Sequence, residues 1–535
     1  MSINKNLLLL ATGSGCLLTL AWPTYGFIPL IFVGLLPLLY LEHLIATDTK
    51  GNKKRRLWGY SYLAFLIWNI GTTWWIVNST VVGMIFANVL NTLFYSLLFL
   101  LFHWSKKRLP LRSAYLFLIC IWISFEKFHL IWDLSWPWLN LGNAFSESIH
   151  WIQWYEYTGV FGGSLWVLVI NIGLFEVIKK YSFKTQKKQM LRKSIPLLLG
   201  IALPIVFSLF LYANFKTKKP DINVVLTQPS VDPYNQKYVR TNVDFMLGLE
   251  ELTAGNINDD TDYLLTPETY FSGDFGEELR TFNSTRLHKD IQKFLKPYKN
   301  LQLISGIQFY DIYQGFKPPN TTANKIKEGY WVDFYNSALG EQFEKPNQIY
   351  HKSKLVVGVE YMPFKAFLTP IIGSVMLDLG GTVASRVVQK ERSVIQHATL
   401  QTNAAPIICY ESIYGEFVTD YVKKGANFLA VISNDAWWKN TEGHRQLLSY
   451  SRLRAIENRR DMARSANTGI SAIIDAKGNI IKRLEYEKKG LLKGRIAMYD
   501  EITFYTRYGD MIARWSFLLG GILLLIAISG RLKHD

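Results

Sequence analysis

Long apolar runs are the feature that most constrains how this chain of 535 residues can fold. A run of about 20 apolar residues is long enough to cross a bilayer as a helix. The runs cover approximately residues 7–22, 27–46, 57–77, 81–104, 114–125, 159–178, 195–213 and 511–530. The first could instead be a signal peptide, but further spans follow at once and no Ala-x-Ala site appears, so we interpret it as uncleaved. The chain is predicted to be a polytopic α-helical membrane protein with about eight spans.

Basic residues in alternate connections orient the predicted spans. They follow spans two, four and six, within residues 50–56, 106–112 and 179–193, and no such cluster follows spans one and three. The positive-inside rule then places the N-terminus in the cytoplasm and residues from Lys216 onward outside it. The net charge of +17 is partly explained by these loops, so we expect a membrane partner and no nucleic acid.

Three regions follow from the span pattern. Residues 1–214 form a transmembrane domain with about seven helices, residues 215–510 an extracytoplasmic domain, and residues 511–535 a last span with a short cytoplasmic tail. Strand-like runs in the outer domain alternate with segments of helical spacing, which favours an α/β fold with a largely buried sheet. The strand-like runs are residues 223–226, 263–265, 301–305, 428–432 and 472–474, and the helical segments are 286–295 and 446–458.

Cys409 ends a short apolar run at the point where polar, turn-compatible residues begin. A nucleophile between a strand and a helix lies on a sharp bend close to free backbone N–H groups. Cys16 and Cys120 fall in predicted spans, so Cys409 is the one cysteine of the outer domain and has no disulfide partner there. A lone cysteine in an apolar run is usually structural, but a free thiol in an oxidising compartment is a liability unless it serves chemistry.

Two further charged residues lie beside strand-like runs. Glu268 follows Leu264-Leu265-Thr266-Pro267, and a partly buried carboxylate at a strand end suits a general base. Lys352 precedes the run from Leu355, and a fixed ammonium beside a thiol favours the thiolate and stabilises a developing oxyanion. Taken singly, each is more often a solvated turn or edge residue.

Aromatic and apolar segments are candidates for contact with lipid. Trp136 and Trp138 lie in an aromatic loop between spans five and six, which suits either an ordinary interfacial belt or the wall of a lipid-facing site. Residues 364–394 are rich in apolar residues and glycine. We interpret this segment as a mobile lid over an acyl-chain entrance, and the alternative is an ordinary packed insertion.

The order Glu268, Lys352, Cys409, each beside a strand-like run, resembles the nitrilase superfamily. The motif Ser433-Asn434-Asp435-Ala436-Trp437 and the segments beginning at Arg454 and Arg464 follow in the expected order. With the span pattern and Trp136-Pro137-Trp138-Leu139, the whole chain resembles the apolipoprotein N-acyltransferase family. The resemblance implies a nitrilase-like αββα sandwich inserted between transmembrane helices.

The same resemblance assigns roles to individual residues. It implies Glu268 as general base, Lys352 as electrostatic stabiliser and Cys409 as nucleophile, with Lys354 as the rival lysine. It also implies supporting roles for Glu360, Tyr410 and Glu411. The family's usual Pro-Phe-Gly-Glu reads Val357-Gly358-Val359-Glu360 here, which leaves the turn before Glu360 open. Tyr238 is the nearest match to a family tryptophan, and it joins Trp136 and Trp138 as a candidate for substrate binding.

The function implied by the resemblance is acyl transfer from a membrane phospholipid to a diacylated apolipoprotein. The acceptor is the α-amino group of the N-terminal diacylglyceryl-cysteine, and a Cys409 thioester is the intermediate of a ping-pong mechanism. The implied location is the bacterial inner membrane, with the catalytic domain on the periplasmic side. No metal or organic cofactor is expected, because no His/Cys ligand spacing is found. The alternatives are a membrane-tethered amidase acting on a small extracytoplasmic amide and a non-catalytic scaffold.

Overall fold

The chain divides into two compact units in a computed structural model. The structure describes residues 3–49, 51–181, 186–233, 236–237, 239–361, 363–364 and 385–530. One unit is helical and contains residues 1–77, 81–214 and 508–535. The other contains residues 78–80 and 215–507 and carries the β-sheets.

The helical unit is built from apolar helices joined by short connections. Its main helices are Ile3–Leu20, Leu36–Thr47, Lys53–Thr73, Val81–Ser105, Leu111–Phe128, Val160–Lys180, Lys187–Asn214 and Met511–Ser529, with a short helix at Tyr155–Thr158. Short 3-10 helices lie at Ile28–Phe32, Trp74–Asn78, Leu141–Phe145 and Ile149–Trp151.

Among the described residues, five segments are long and apolar enough to cross a membrane. They are Ile28–Thr47, Val81–Ser105, Val160–Lys180, Lys187–Asn214 and Met511–Ser529. The first predicted span is a shorter apolar helix. Lys53–Thr73 begins with four basic residues, and Leu111–Phe128 carries Arg112, Glu126 and Lys127, which lowers the hydropathy of both. Five of the predicted spans thus have the length and apolar composition of membrane-crossing helices, and the eight-span arrangement stays a prediction.

Two buried glutamates of the helical unit, Glu42 and Glu126, have polar partners on other helices or connections. Glu42 bonds His103 at 2.7 Å and also contacts Lys106. Glu126 accepts hydrogen bonds from the Ser164 hydroxyl at 2.6 Å and from the Leu141 backbone N–H at 2.8 Å. Because an unpaired polar group in an apolar surrounding is costly, these pairs tie the helices together.

The α/β unit holds two sheets. The strands are β1 Ile222–Gln228, β2 Tyr263–Leu265, β3 Glu277–Glu278, β4 Gln302–Gln314, β5 Asn324–Lys327, β6 Tyr330–Glu341, β7 Gln348–His351, β8 Ile395–Gln396, β9 Asn403–Ile408, β10 Phe428–Ser433, β11 Met462–Ala466, β12 Ser471–Ile474, β13 Ile480–Leu484 and β14 Gly490–Ile496. The first sheet runs β14-β1-β2-β4-β6-β5, with β3 on β4 and β7 on β6. The second runs β13-β12-β11-β10-β9-β8.

The sheets lie between two pairs of helices. Helices Asn242–Thr253 and Arg286–Leu295 pack on the first sheet, and their apolar faces join residues of β1, β2 and β4 in one core. Helices Gly415–Lys423 and Glu442–Asn458 lie on the second sheet. Contacts between the sheets include a hydrogen bond of 2.8 Å from Ser465 Oγ to the Thr227 carbonyl and the edge-to-face rings of Tyr263 and Phe428. The unit therefore has four layers, ordered helix, sheet, sheet, helix.

The predicted strands and helices of this unit are confirmed. Helix Arg286–Leu295 and strand β2 begin and end at the predicted residues, whereas β4 extends to Gln314, well beyond the predicted end at Ser305. Strand β2 is parallel to β1 and β4, and β10 is parallel to β9 and β11. Their carboxyl ends therefore meet at one edge, which is where β2 leads to Glu268 and β9 to Cys409.

Candidate active site

Glu268 lies in the loop after β2 and is only 6% exposed. Its Oε1 accepts hydrogen bonds of 2.8 Å from Lys352 Nζ and from Asn336 Nδ2. Its Oε2 accepts one of 3.1 Å from the Asn434 backbone N–H, at the end of β10. The carboxylate is thus held in one orientation by three parts of the unit, as a positioned base requires.

Lys352 directly follows β7 and lies between two carboxylates. Its Nζ is 2.8 Å from Glu268 Oε1 and 2.8 Å from Glu360 Oε2, and the side chain is almost fully buried. Burial disfavours the charge, but Glu268 and Glu360 outweigh it and hold the pKa of Lys352 above its ordinary value. The site therefore contains a permanently charged ammonium.

Glu360 reaches this ammonium despite the altered turn before it. Gly358 adopts φ +81°, and its N–H donates to the Tyr361 carbonyl at 2.7 Å, which closes a tight turn. The Glu360 carboxylate accepts hydrogen bonds from the Val356 N–H at 3.0 Å and from Asn336 Nδ2 at 2.9 Å. Burial acts against the charge, but Lys352 and then Arg386 hold the pKa of Glu360 below its ordinary range. The glycine supplies the backbone conformation that the changed sequence needs.

Asn336, in the middle of β6, connects the two carboxylates. One amide nitrogen, Nδ2, donates to Glu268 at 2.8 Å and to Glu360 at 2.9 Å. Sequence reasoning missed this residue, because a polar residue inside a strand gives no signal of its own. Residues 335–341 of β6 are all buried, and a buried amide needs hydrogen-bond partners, but this burial is not visible in the sequence.

Cys409 begins a 3-10 helix directly after β9, as predicted. Its φ of +49° is a strained value for a residue with a side chain and marks a sharp bend. Burial, followed by the charge of Glu268, raises the pKa of Cys409 well above its ordinary value, against the opposing effect of Lys352. The Lys352 ammonium thus acts in the predicted direction, towards the thiolate, but burial and the Glu268 charge outweigh its effect on the pKa of Cys409.

Glu411 supports the bend that carries Cys409. The fully buried carboxylate accepts hydrogen bonds from the backbone N–H of Ile408 at 2.8 Å and of Ser353 at 2.7 Å, and from the Tyr350 hydroxyl at 2.7 Å. Burial raises the pKa of Glu411, and these donors oppose the rise. Glu411 thus joins the end of β9 to the segment that bears Lys352. Tyr410 is also buried and packs edge-to-face on Tyr414, with ring centroids 5.4 Å apart.

The loop after β10 closes the far side of the site. Ser433 is level with Cys409 in the parallel pairing, because Ile432 pairs with Ile408. Ser433 opposes the rise in the pKa of Cys409, although burial and Glu268 dominate. Asp435 accepts a hydrogen bond from Ser433 and forms a fully buried ion pair of 2.6 Å with Arg464. The sequence motif around Asn434 predicted that this loop belongs to the site, but it did not predict the contacts that its residues make.

Lys354, the rival lysine, lies elsewhere. Its ammonium sits over the Tyr414 ring, 4.9 Å from the centroid. Its backbone N–H approaches Glu411 at 3.4 Å. Of the two lysines, Lys352 is the one between Glu268 and Glu360.

The remaining predicted site residues belong to the helical unit or lie outside the described residues. Trp136 and Trp138 belong to the helical unit, where they stack on each other at 5.7 Å and Trp138 packs against Trp75 at 4.9 Å. Tyr238 lies outside the described residues, as does most of the predicted lid, residues 365–384. Roles of these residues in substrate binding stay predictions.

The four-layer unit and its buried Glu–Lys–Cys cluster define a domain of the carbon–nitrogen hydrolase class. The family model described as "Carbon-nitrogen hydrolase" matches residues 319–502, which include Lys352, Glu360 and Cys409. The model described as "Apolipoprotein N-acyltransferase N-terminal domain" matches residues 14–173. The chain belongs to the apolipoprotein N-acyltransferase family, as the motifs predicted, and is an acyltransferase of that type associated with the membrane.

Curated relatives match along nearly the whole chain. Apolipoprotein N-acyltransferases from Chlorobaculum tepidum and Geobacter metallireducens are 28% and 25% identical over 96% of this chain, covering 95% and 94% of their own lengths. One from Pasteurella multocida is 26% identical over 97% of this chain and 94% of its own. Among solved structures, an amidase from Nesterenkonia sp. AN1 aligns with 55% of this chain and 99% of its own, at 15% identity and a TM-score of 0.36, and no conclusion rests on that likeness.

Proposed function

We propose that this protein transfers an acyl chain to the N-terminal amine of diacylated apolipoproteins through a thioester on Cys409. The observation that carries the proposal is the buried cluster in which Lys352 Nζ lies 2.8 Å from both Glu268 and Glu360, beside the bend that bears Cys409. The family assignment supplies the reaction type, and the assignment of residues to its steps is ours.

The first half-reaction forms the acyl-enzyme. The raised pKa of Cys409 keeps the sulfur protonated at rest, so a base must remove the proton during attack. Glu268 is the base, because its carboxylate lies beside Lys352 and is held by Asn336 and Asn434. The thiolate attacks the ester carbonyl of a phospholipid, and Lys352 with backbone N–H groups stabilises the oxyanion. The glycerol oxygen leaves with the proton from Glu268, which gives a lysophospholipid and a thioester.

The second half-reaction transfers the acyl group. The amine of the diacylglyceryl-cysteine attacks the thioester carbonyl, Glu268 accepts the amine proton, and the Cys409 sulfur leaves. Glu268 returns the proton to the sulfur, so the enzyme is regenerated and the lipoprotein carries an amide-linked third chain. Glu360 stays ionised throughout, because Lys352 and Arg386 hold its pKa low against burial, and it keeps Lys352 in place.

The proposed location is the bacterial inner membrane, with the α/β unit on the periplasmic side. The basic clusters at residues 50–56, 106–112 and 179–193 support this orientation. Phospholipid, the proposed acyl donor, is the abundant ester in that surrounding. The aromatic residues Trp136 and Trp138 are proposed to contact it.

Intact-protein mass spectrometry tests the proposal. Purified enzyme incubated with phospholipid alone should gain the mass of one acyl chain and release one lysophospholipid, and hydroxylamine should remove the added mass. Cys409→Ala should gain nothing, whereas Cys16→Ser and Cys120→Ala should be acylated like the unchanged protein. Acylation that persists in Cys409→Ala would contradict the assignment.

A further inference from the structure

A cavity of about 150 Å³ lies beside helix Asn242–Thr253 in the α/β unit. Part of its wall is apolar and is formed by Val231, Phe245 and Tyr270. A second, much smaller cavity shares these three residues and is also lined by Glu268. The large cavity therefore adjoins the space in front of the proposed general base.

Positive charge dominates the lining of the two cavities. Arg240 and Lys489 line the larger one, and the buried Lys237 lines the smaller one, where its ammonium donates to Thr269 Oγ1. Burial raises the pKa of Tyr270, a residue of the cavity wall, and the positive charge of Arg240 opposes this rise. The Arg240 charge is therefore felt at the cavity wall.

The two acidic residues of the lining already have donors. Asp244 accepts hydrogen bonds of 2.8 Å from both the backbone N–H and the hydroxyl of Thr241, and these bonds lower the pKa of Asp244. Glu268 is paired with Lys352 and Asn336. The lining as a whole is therefore suited to an anionic ligand.

We propose that this cavity binds the phosphodiester headgroup of the acyl donor, with Arg240 and Lys489 contacting the phosphate oxygens. The inference rests on the function proposed above. In a phospholipid the phosphate and the scissile ester are carried by the same glycerol, so they must occupy adjoining sites. Arg240 and Lys489 then account for the use of a charged lipid, and the apolar wall of Phe245 and Tyr270 packs against the glycerol carbons.

The charge is tested with Arg240→Gln combined with Lys489→Gln. Lys488→Gln is the matched control, because Lys488 is exposed and does not line the cavity. The rate of Cys409 acylation is measured by intact mass with two donors that carry the same acyl chain, phosphatidylglycerol and a p-nitrophenyl ester. We expect the double variant to need about 10-fold or more phosphatidylglycerol for half-maximal rate. Its rate with the p-nitrophenyl ester should be unchanged.

A second experiment tests whether the headgroup needs the volume of the cavity, without changing the charge of its lining. Gly248 lines the cavity, and a Cβ added there meets only the Tyr270 hydroxyl, at 3.8 Å. Gly248→Ala is the control, and Gly248→Leu should fill the cavity while improving helix propensity. Gly248→Leu should slow acylation from phosphatidylglycerol and spare the p-nitrophenyl ester.

The outcomes separate this inference from the function on which it rests. An equal loss with both donors, or no loss with either, would overturn the headgroup site. Normal acylation followed by slow transfer to a diacylated lipopeptide would assign the cavity to the acceptor and also overturn it. If the unchanged enzyme were not acylated by any phospholipid, the proposed function itself would fail.

Discussion

At the scale of single residues, the centre of the site is one ammonium group that forms ion pairs with two carboxylates. Lys352 compensates the charges of Glu268 and Glu360, and Asn336 bonds both carboxylates with one amide nitrogen. Removing one partner of a buried charged network leaves the others uncompensated, which costs about 3–5 kcal/mol. Changes here therefore affect both stability and chemistry, and each experiment needs a measure of both.

Substitution of Lys352 and of Lys354 should have very different effects on the rate of Cys409 acylation. Lys352→Met keeps the aliphatic stem but removes the charge, so acylation of Cys409 should fall by about 10²-fold or more. Lys354→Met removes a cation–π contact with Tyr414 but leaves Lys352 between Glu268 and Glu360, so it should keep the rate within a few-fold. Intact-mass kinetics give the rates, and thermal unfolding shows whether Lys352→Met is still folded. A dead Lys354→Met with an active Lys352→Met would show that the roles are reversed.

The raised pKa of Cys409 predicts its pH profile. Only the thiolate is alkylated, so the rate with iodoacetamide should still be rising above pH 9.0, the ordinary thiol pKa. After burial, the Glu268 charge is the largest cause of the rise, so Glu268→Gln should move the profile to lower pH while abolishing acylation. Peptide mapping distinguishes Cys409 from Cys16 and Cys120. A profile that levels off below pH 8 would contradict the neutral resting thiol.

At the scale of elements, Glu411 holds the end of β9 against the segment that follows β7. Because it accepts from Ile408, Ser353 and Tyr350, it fixes the positions of Cys409 and Lys352 relative to each other. We propose that Glu411 is a positioning residue, whose carboxylate acts through the backbone of its neighbours.

Glu411→Gln changes the side-chain volume very little, but it should lower both the stability and the activity of the protein. The new amide would place N–H groups against backbone N–H donors, which costs about 1–3 kcal/mol for each donor left unpaired. We expect a clear fall in the free energy of unfolding and a parallel loss of acylation. Tyr350→Phe removes one of the same hydrogen bonds and should cost about 1 kcal/mol. Denaturant unfolding of the detergent-solubilised protein compares the two, and equal stability of Glu411→Gln and the unchanged protein would refute the role.

The sequence predicted elements better than side-chain contacts. Apolar runs bounded by turn residues identified β2, β9 and β10, and the strand ends correctly located Glu268 and Cys409. The position of Asn336 could not be predicted, because its partners are 68 residues before it and 24 residues after it. The size of the burial effect on Cys409 could not be predicted either, since a charge pattern in sequence does not reveal how deeply the residue is buried.

At the scale of the whole molecule, composition separates two units that the structure also resolves. Hydropathy identified the long apolar helices where charges are few. It was weakest for Lys53–Thr73 and Leu111–Phe128, whose ends or interiors carry charges. Such helices are stabilised by packing against other helices, which a scan for apolar runs does not detect.

The orientation is testable with reporter fusions. The basic loops predict that a reporter active only outside the cytoplasm is active when fused after Asn214. The same reporter fused within residues 179–193 should be silent, and a cytoplasmic reporter at the two points serves as the control. The reverse pattern would contradict the proposed periplasmic position of the α/β unit.

The most direct test of the central claim follows the acyl group from Cys409 to an acceptor. Acyl-enzyme formed with an isotopically labelled phospholipid is freed of lipid and mixed with a diacylated lipopeptide that has a free N-terminal amine. The account predicts that the enzyme returns to its unmodified mass while the lipopeptide gains one labelled chain in amide linkage. Release of the label only as free fatty acid, together with ammonia release from small amides, would contradict acyl transfer and favour a membrane-tethered amidase.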